Sequence, residues 1–273
     1  MIAIFAISNP YFVYAGSTPP SFGSIGSAAG GSTSISVAHP SGISAGDLLV
    51  LAISNKYPTN GPTTPSGWTA LPNYQGSGGS GSPGADTGTV YATVFVKIAD
   101  GTESGNLAVT LTSANSSIGQ MLRYTKDPAS VWSYAAVNGS DNSGGTDWSV
   151  TADSNLYVEP GDVVIAVSGI NADPYSYSGQ AMSLTGVSWT GETERAESSV
   201  FTGDDAEVVI SEHVVSSGAT FGQPTFTMTS SGSATDAPAG ATVFLRIRQV
   251  PPAKLYIIGG TLKIIGGTLK ITN

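Results

Sequence analysis

The chain has 273 residues, of which 40% are hydrophobic and only 11% are charged, with a formal net charge of −9 at pH 7. Short, regular apolar runs at this charge content exclude a charge-rich disordered chain. No Lys or Arg precedes Lys56 and the basic residues are scattered afterwards, so the sequence predicts no phosphate-binding stripe and no nucleic-acid partner. The longest apolar runs, 1–7 and 48–53, are far shorter than the roughly 20 residues of a membrane helix, which predicts no membrane contact.

The abundance of Gly, Ser and Thr favours strands and turns over helices. The start of the chain, 1–31, is predicted to be an N-terminal arm of the mature protein, because Asn9-Pro10 interrupts its apolar run and no basic residue precedes that run. The chain has no cysteine, so stability has to come from burial and assembly rather than from disulfides.

Two long stretches of the chain share one order of landmarks, which predicts an internal duplication. The segment SISVAHPSGISAGDLLVLAIS (34–54) parallels WSVTADSNLYVEPGDVVIAVS (148–168), each with a Gly-Asp pair before an apolar run. A tryptophan follows in each stretch, and each ends on an alternating strand with an arginine. The matched pairs are Gly46-Asp47 with Gly161-Asp162, Trp68 with Trp189, and Arg123 with Arg246.

Each stretch offers six to eight short strands separated by Gly, Pro, Asn or Asp, which is typical of a β-sandwich. We therefore predict an all-β fold of two tandem jelly-roll or immunoglobulin-like β-sandwiches with a short C-terminal β extension. The predicted boundaries are a first sandwich at 32–137, a linker at 138–147, a second sandwich at 148–250 and a C-terminal tail at 251–273.

The tail differs in kind, because IIGGTLK occurs twice in succession, at 257–263 and 264–270. Each Gly-Gly pair suits a two-residue hairpin turn, and a hairpin this short is not stable alone. The tail is predicted either to assemble with other chains, most simply as a homotrimer, or to complete the second sandwich. The residues predicted to carry assembly are Ile257, Ile258, Leu262, Ile264, Ile265, Leu269 and Ile271.

The order GDLLVLAIS, then PSGWTAL, then YATVFVKIA resembles a module of structural and appendage proteins in tailed bacteriophages. The resemblance covers Ser34 to about Tyr124, and Trp148 to Arg248 more loosely, because TGVSWTGE keeps the tryptophan and loses the proline. It implies a jelly-roll-like sandwich and a role in the virion as decoration, spike or fibre. It implies no catalytic residues and no cofactor.

Catalytic and metal chemistry find little support in the sequence. The two histidines, His39 and His213, are interpreted as structural, and no GxSxG motif is present. One acidic segment has a single basic residue, Arg195; its carboxylates are Glu192, Glu194, Glu197, Asp204, Asp205, Glu207 and Glu212. A solvated acidic edge is the favoured interpretation, with a calcium site and a glycosidase pair as alternatives.

Several aromatic residues fall in predicted loops: Trp68, Tyr74, Trp132, Trp148, Tyr175 and Tyr177. Aromatic faces grip sugar rings, so Tyr74, Tyr175 and Tyr177 are the candidate ligand-binding residues. Trp68 and Trp189 recur in both stretches and are interpreted as anchors at the edge of the core.

These observations predict a non-enzymatic virion protein at the particle surface of a tailed phage, a capsid decoration or minor capsid protein, head spike or tail fibre. Its predicted partners are other virion proteins, copies of itself and a host-surface glycan, without a metal or cofactor. A secreted carbohydrate-binding or adhesin module is the alternative, and a glycoside-acting enzyme is the third candidate.

Overall fold

The computed structural model describes residues 18–56, 61–72, 74–78, 88–111, 116–141, 147–170, 176–200, 205–231, 240–251, 254–258 and 261–265. The regular elements of these residues are β-strands, which confirms the all-β fold. The described part of the chain contains no helix long and apolar enough to cross a membrane.

The first nine strands are β1 (Ser21–Ile25), β2 (Ala29–Gly31), β3 (Ser34–Ala38), β4 (Leu48–Lys56), β5 (Thr69–Ala70), β6 (Tyr74–Gly78), β7 (Gly88–Ile98), β8 (Asn106–Thr110) and β9 (Ser116–Thr125). Seven of them form the first large sheet, in the order β1-β9-β4-β7-β5, with β2 also paired to β9 and β6 to β7. Strands β3 and β8 pair with each other as a separate layer.

The next ten strands are β10 (Val131–Asp141), β11 (Asp147–Thr151), β12 (Leu156–Val158), β13 (Val163–Ile170), β14 (Tyr177–Ser183), β15 (Ser188–Val200), β16 (Ala206–Ser217), β17 (Thr220–Gly222), β18 (Thr225–Ser230) and β19 (Gly240–Val250). The second large sheet has the order β10-β19-β13-β16-β15. Two small sheets, β11-β18-β14 and β12-β17, are separate from it.

Strand β4 shows why the chain forms layers. All nine of its residues are buried, because successive side chains of a strand point to opposite faces and both faces of this strand are covered. Val50 contributes to the core between the large sheets, whereas Leu49 and Leu51 contribute to the core on the other side. The continuous apolar run, rather than an alternating one, is what two-sided burial requires.

The two large sheets pack face to face and share one central core. Val50 and Leu122 of the first sheet belong to the same apolar cluster as Ile165 and Val243 of the second. Each sheet is covered on its outer face by its own small sheet or sheets, and each of these outer cores has a separate apolar cluster. The sandwiches are therefore stacked as four layers.

A buried polar cluster joins the two large sheets. The Tyr124 hydroxyl of β9 donates to Oε2 of Glu212 on β16 at 2.9 Å. Arg195 of β15 donates to both Glu212 oxygens, at 3.0 and 2.8 Å, and its guanidinium lies 4.1 Å from the centre of the Phe22 ring. Because every partner in such a cluster has to be in place for burial to be favourable, the contact fixes the position of one sheet on the other.

The connection between the large sheets lies earlier than the predicted linker. Strand β10 spans the end of the predicted first sandwich and the start of that linker, yet it pairs with β19 along its whole length. The crossing from one sheet to the other falls at 126–130. At the N-terminus, β1 and β2 lie within the predicted arm and pair with β9 as edge strands of the first sheet.

The two halves share one pairing order. The triplet β9-β4-β7 of the first sheet matches β19-β13-β16 of the second, and the pair β3-β8 matches β11-β18. The predicted arginine match is also in register, because Arg123 lies opposite Leu49 and Arg246 lies opposite Val164. The evolutionary duplication itself stays a prediction.

The tryptophan side chains pack against the apolar cores of the protein rather than projecting from exposed loops. Trp68 is 8% exposed and belongs to the first outer core, and Trp189 packs against the second outer core, which agrees with their interpretation as anchors. Two others were wrongly assigned to loops. Trp148 lies in β11 and is fully buried, and Trp132 lies in β10, packs against the central core and donates from Nε1 to the Gly46 carbonyl at 2.8 Å.

Beyond Pro251, β20 (Lys254–Ile258) and β21 (Thr261–Ile265) form an antiparallel hairpin. Ile258 lies opposite Thr261, so two residues connect the strands, as the Gly-Gly pair predicts. Among the described strands the hairpin forms its own two-stranded sheet and does not extend either large sheet. The second Gly-Gly pair, with Leu269 and Ile271, lies outside the described residues.

Candidate functional sites at the two ends of the body

The Gly-Asp pair of each half is a structural turn. Gly46 has φ of 92° and Gly161 has φ of 91°, a backbone region in which residues other than glycine are strained. Asp47 accepts from the Ser44 amide at 2.9 Å and is 3.1 Å from Nη1 of Arg123. The motif thus ties the entry of β4 to β9, which accounts for its recurrence without any catalytic role.

The second copy makes a tighter contact. Asp162 is fully buried and accepts from the Glu159 amide at 2.9 Å. Its carboxylate accepts hydrogen bonds from both Nε and Nη2 of Arg248, the latter at 2.7 Å. Arg248 also forms an ion pair with Glu159. The ion pair is made here by Arg248, two residues beyond Arg246, the register equivalent of Arg123.

The first described residue, Thr18, and the last residue of the body, Pro251, lie at the same end of the body, which we call the terminal end. Thr125 closes β9 there, and a groove of about 380 Å³ is lined by residues of the start, the connection and the end of the body, among them Thr18, Lys126 and Pro251. The Gln249 side chain donates to the Thr18 carbonyl and accepts from the Asp127 amide at 2.6 Å. One side chain therefore holds all three segments together.

Exposed apolar side chains also lie toward the terminal end. In the described part of the chain, the large apolar residues that are strongly exposed are Ile98, Val131, Tyr157 and Phe221. Ile98 ends β7 opposite Leu48, and Val131 lies opposite Val250. Tyr157 and Phe221 are directly opposite each other on β12 and β17, 44% and 66% exposed, and the Tyr157 ring lies 5.5 Å from the Arg248 guanidinium.

The opposite end, which we call the loop end, is defined by Lys56, Ser116, Ile170 and Gly240. Lys56 pairs with Ser116 in the first sheet and Ile170 with Gly240 in the second. The two sheets meet here, because a Cβ added at Gly240 would lie 3.0 Å from Cγ1 of Val90. The strand ends that border segments 57–60, 79–87, 112–115, 142–146, 171–175, 201–204 and 232–239 all lie at this end.

Two of the three candidate ligand-binding tyrosines, Tyr74 and Tyr177, belong to the loop-end half of the body. Tyr74 begins β6, with its backbone opposite Ala92, and Tyr175 lies outside the described residues. Tyr177 begins β14 opposite Ser230, and its side chain is 4% exposed in the second outer core. The buried ring stabilises the fold, and the glycan-binding role of the three stays a prediction.

The acidic segment is more buried than a solvated edge would be. Glu207 is 1% exposed, and its Oε2 has no hydrogen-bond partner. Burial, together with the nearby Glu197, raises the pKa of Glu207 to about 9, so this carboxyl is protonated at neutral pH. Glu197 accepts from the Tyr177 amide at 3.0 Å, and burial and Glu194 raise its pKa as well. A carboxyl this inaccessible cannot reach a substrate.

Metal ligands do not converge in the described residues, where no group of three or more His, Asp or Glu side chains is arranged to hold an ion. Glu212 binds Arg195 and Tyr124, and Glu194 accepts from Gln180. These carboxylates are thus occupied by protein donors. Asp204 lies outside the described residues.

A serine and a histidine come together in a way the sequence did not predict. Ser211 Oγ lies 2.9 Å from Nε2 of His213, and Nδ1 of His213 lies 4.0 Å from Glu192 Oε1. Their order resembles a catalytic triad. Both Ser211 and His213 are fully buried, however, and the ring packs between Trp189 and Phe226. The pair therefore lacks substrate access and serves packing.

The buried His213 is expected to destabilise the fold in acid. Burial lowers its pKa from 6.5 to about 4, so the unfolded chain takes up a proton between these values and the folded chain does not. The contribution of His213 to the free energy of unfolding is therefore highest above pH 6.5, and it decreases by about 3 kcal/mol as the pH falls to about 4. Urea unfolding at stepped pH should show that His213→Asn removes this slope and His39→Asn retains it; a slope unchanged in both variants would contradict the assignment.

No known protein family, curated protein or solved structure matches the chain.

Proposed function

We propose that the chain is a non-enzymatic structural protein of a tailed-phage virion, attached to the particle at its terminal end and presenting its loop end outward. The observation that carries the proposal is the polarity of the body. Thr18 and Pro251, the 380 Å³ groove that they help to line, and the exposed apolar residues all lie toward the terminal end. The connections between strands concentrate at the loop end, where binding residues on a rigid scaffold are usually found.

The body suits a display role. The central strands of its two large sheets, such as β4 and β13, are buried on both faces, and the shared central core holds the two halves as one unit. A host-surface glycan bound near Tyr74 and Tyr175 is the ligand that we propose for the loop end.

The location is tested by mass spectrometry of purified particles, and the orientation by epitope tags on the same particles. A tag inserted between Gly144 and Gly145 should be reached by antibody on intact virions, whereas a tag after Asn273 should be reached only after disruption. The matched control is the same pair of tags on the free protein, where both should be reached. Absence from virions would favour the secreted adhesin, and reversed accessibility would overturn the orientation.

A further inference from the structure

Arg246 is a nearly buried cation without an ion pair. Its register equivalent in the first half, Arg123, lies 3.1 Å from the carboxylate of Asp47. In the second half the corresponding carboxylate, Asp162, is bound by Arg248 instead. Arg246 is therefore left at a position whose counterpart contacts a carboxylate.

The guanidinium of Arg246 is also poorly supplied with hydrogen-bond acceptors. A guanidinium has several N–H donors and no acceptor of its own. Arg246 is 8% exposed, and among the described residues its single hydrogen bond runs from Nη1 to the Ser133 hydroxyl at 3.4 Å. Its Nε has no partner, and burial lowers the pKa of the side chain. A buried charge in this state lacks the contacts that normally offset its loss of water.

The acidic side chains of the chain itself do not supply the missing carboxylate. Asp162 and Glu159 are engaged by Arg248, and segments 1–17 and 252–273 contain no Asp or Glu. Arg246 lies toward the terminal end, opposite Val164 near the start of β13. The acidic residues outside the described ranges belong to segments that border the loop end: Asp86, Asp173, Asp204 and Asp236.

Exposed apolar residues lie beside this cation. Val131 and Ser133 are two residues apart on β10, an edge strand of the second large sheet, so they share a face, and Val131 is 58% exposed. Tyr157 is 44% exposed and lies 5.5 Å from the guanidinium of Arg248, which is two residues from Arg246 on β19. Arginine and tyrosine are enriched among residues that dominate the energy of protein interfaces.

We infer that this patch, formed by Val131, Ser133, Tyr157 and Arg246, binds an acidic side chain of the particle protein to which the chain attaches. The identity of the partner rests on the proposed function. A singly charged carboxylate suits the patch, because Asp162 and Glu159 nearby oppose a more highly charged anion such as phosphate. A carboxylate pairing with a desolvated guanidinium contributes both binding energy and orientation.

The site is tested on the full chain with acetate as the probe. The chain has four arginines, so selective ¹⁵N-arginine labelling should give four Nε–H signals by NMR, of which Arg246→Lys removes one and thereby assigns it. Sodium acetate should shift that signal with half-saturation at about 10 to 100 mM, as one charge-assisted contact supports. Sodium chloride at equal ionic strength and sodium phosphate should not. No saturable shift, equal shifts of all four signals or a stronger response to phosphate would overturn the inference.

The α-carboxylate of Asn273 is a further acceptor that the chain could supply. A C-terminal tag moves this carboxylate away from its position in the sequence and should leave the acetate affinity unchanged. An affinity at least 10-fold higher in the tagged chain would assign Arg246 to the chain's own C-terminus and would overturn an external partner.

Thermal unfolding separates this binding role from a structural one. Arg246→Met should leave the Tm unchanged or raise it, because no ion pair is lost. The matched control is Arg123→Met, which removes the contact to Asp47 and should lower the Tm by several degrees. An equal loss in both variants would show that Arg246 supports the fold, which would overturn the inference.

The partner is tested by adding the free chain to particles that lack it. Arg246→Met should bind at least 10-fold more weakly than the wild type, whereas Lys97→Met, which removes the same charge toward the same end, should bind as the wild type does. Equal binding of both variants would overturn the partner. Failure of the wild-type chain to bind particles would overturn the proposed function together with the partner, whereas the acetate titration of the free chain decides the arginine site by itself.

Discussion

Replacing Glu207 by glutamine should stabilise the protein at neutral and alkaline pH. The pKa of Glu207 is raised from 4.5 to about 9 by burial and by Glu197, so the folded chain retains a proton that the unfolded chain releases. Below about pH 4.5 the carboxyl is protonated in both the folded and the unfolded state, so its ionisation takes little from the free energy of unfolding. As pH rises from about 4.5 to 9, ionisation of this carboxyl stabilises the unfolded state relative to the folded state by about 6 kcal/mol in total.

Urea unfolding between pH 4 and 9 measures this difference. Glu207→Gln does not titrate, so the gap in unfolding free energy between variant and wild type should widen steadily over the range. The matched control is Glu192→Gln, because the Glu192 side chain is 45% exposed and should show no comparable widening. A gap for Glu207→Gln that stays constant with pH would show that the carboxyl ionises readily in the folded protein.

The substitution Asp162→Asn is expected to lower the free energy of unfolding by about 3 kcal/mol, because it leaves the partly buried Arg248 without its bidentate carboxylate partner. The corresponding change Asp47→Asn should cost only about 1 kcal/mol, since Arg123 makes a single contact to Asp47 and keeps its hydrogen bonds to Ser24 and Gly42. The two substitutions are matched controls for each other in one motif.

Thermal and urea unfolding of both variants gives the comparison. Equal losses would mean that the bidentate contact of Arg248 with Asp162 contributes no more to stability than the single contact of Arg123 with Asp47. Since both asparagine variants retain an acceptor for the backbone amide that each aspartate binds, each is expected to fold.

The acidic segment shows that residue type alone does not predict the burial or the partners of a carboxylate. In the sequence its carboxylates are typical of a charged, solvent-exposed edge, because the sequence gives the number of acidic residues but not how deeply each is buried. In the structure Glu207 and Glu212 lie five residues apart on strand β16 and so face opposite sides of the sheet. Oε2 of Glu207 has no hydrogen-bond partner, whereas Glu212 is bound by Arg195 and Tyr124. Partners this distant in the chain leave no local signal.

Sequence alone determined the all-β class, the continuous run of β4, the Gly-Asp turns and the two-residue connection of the tail hairpin. These features depend on residues that are near in the chain, through alternation, two-sided burial and the positive φ that glycine allows.

Tertiary structure alone decided the face-to-face packing of the two large sheets, the crossing at 126–130 and the placement of Trp132 and Trp148 in strands. It also brought Thr18, Asp127 and Gln249 to one end of the body. The reason is that each strand offers two faces and two edges, and their partners are chosen by shape and burial between residues far apart in the chain.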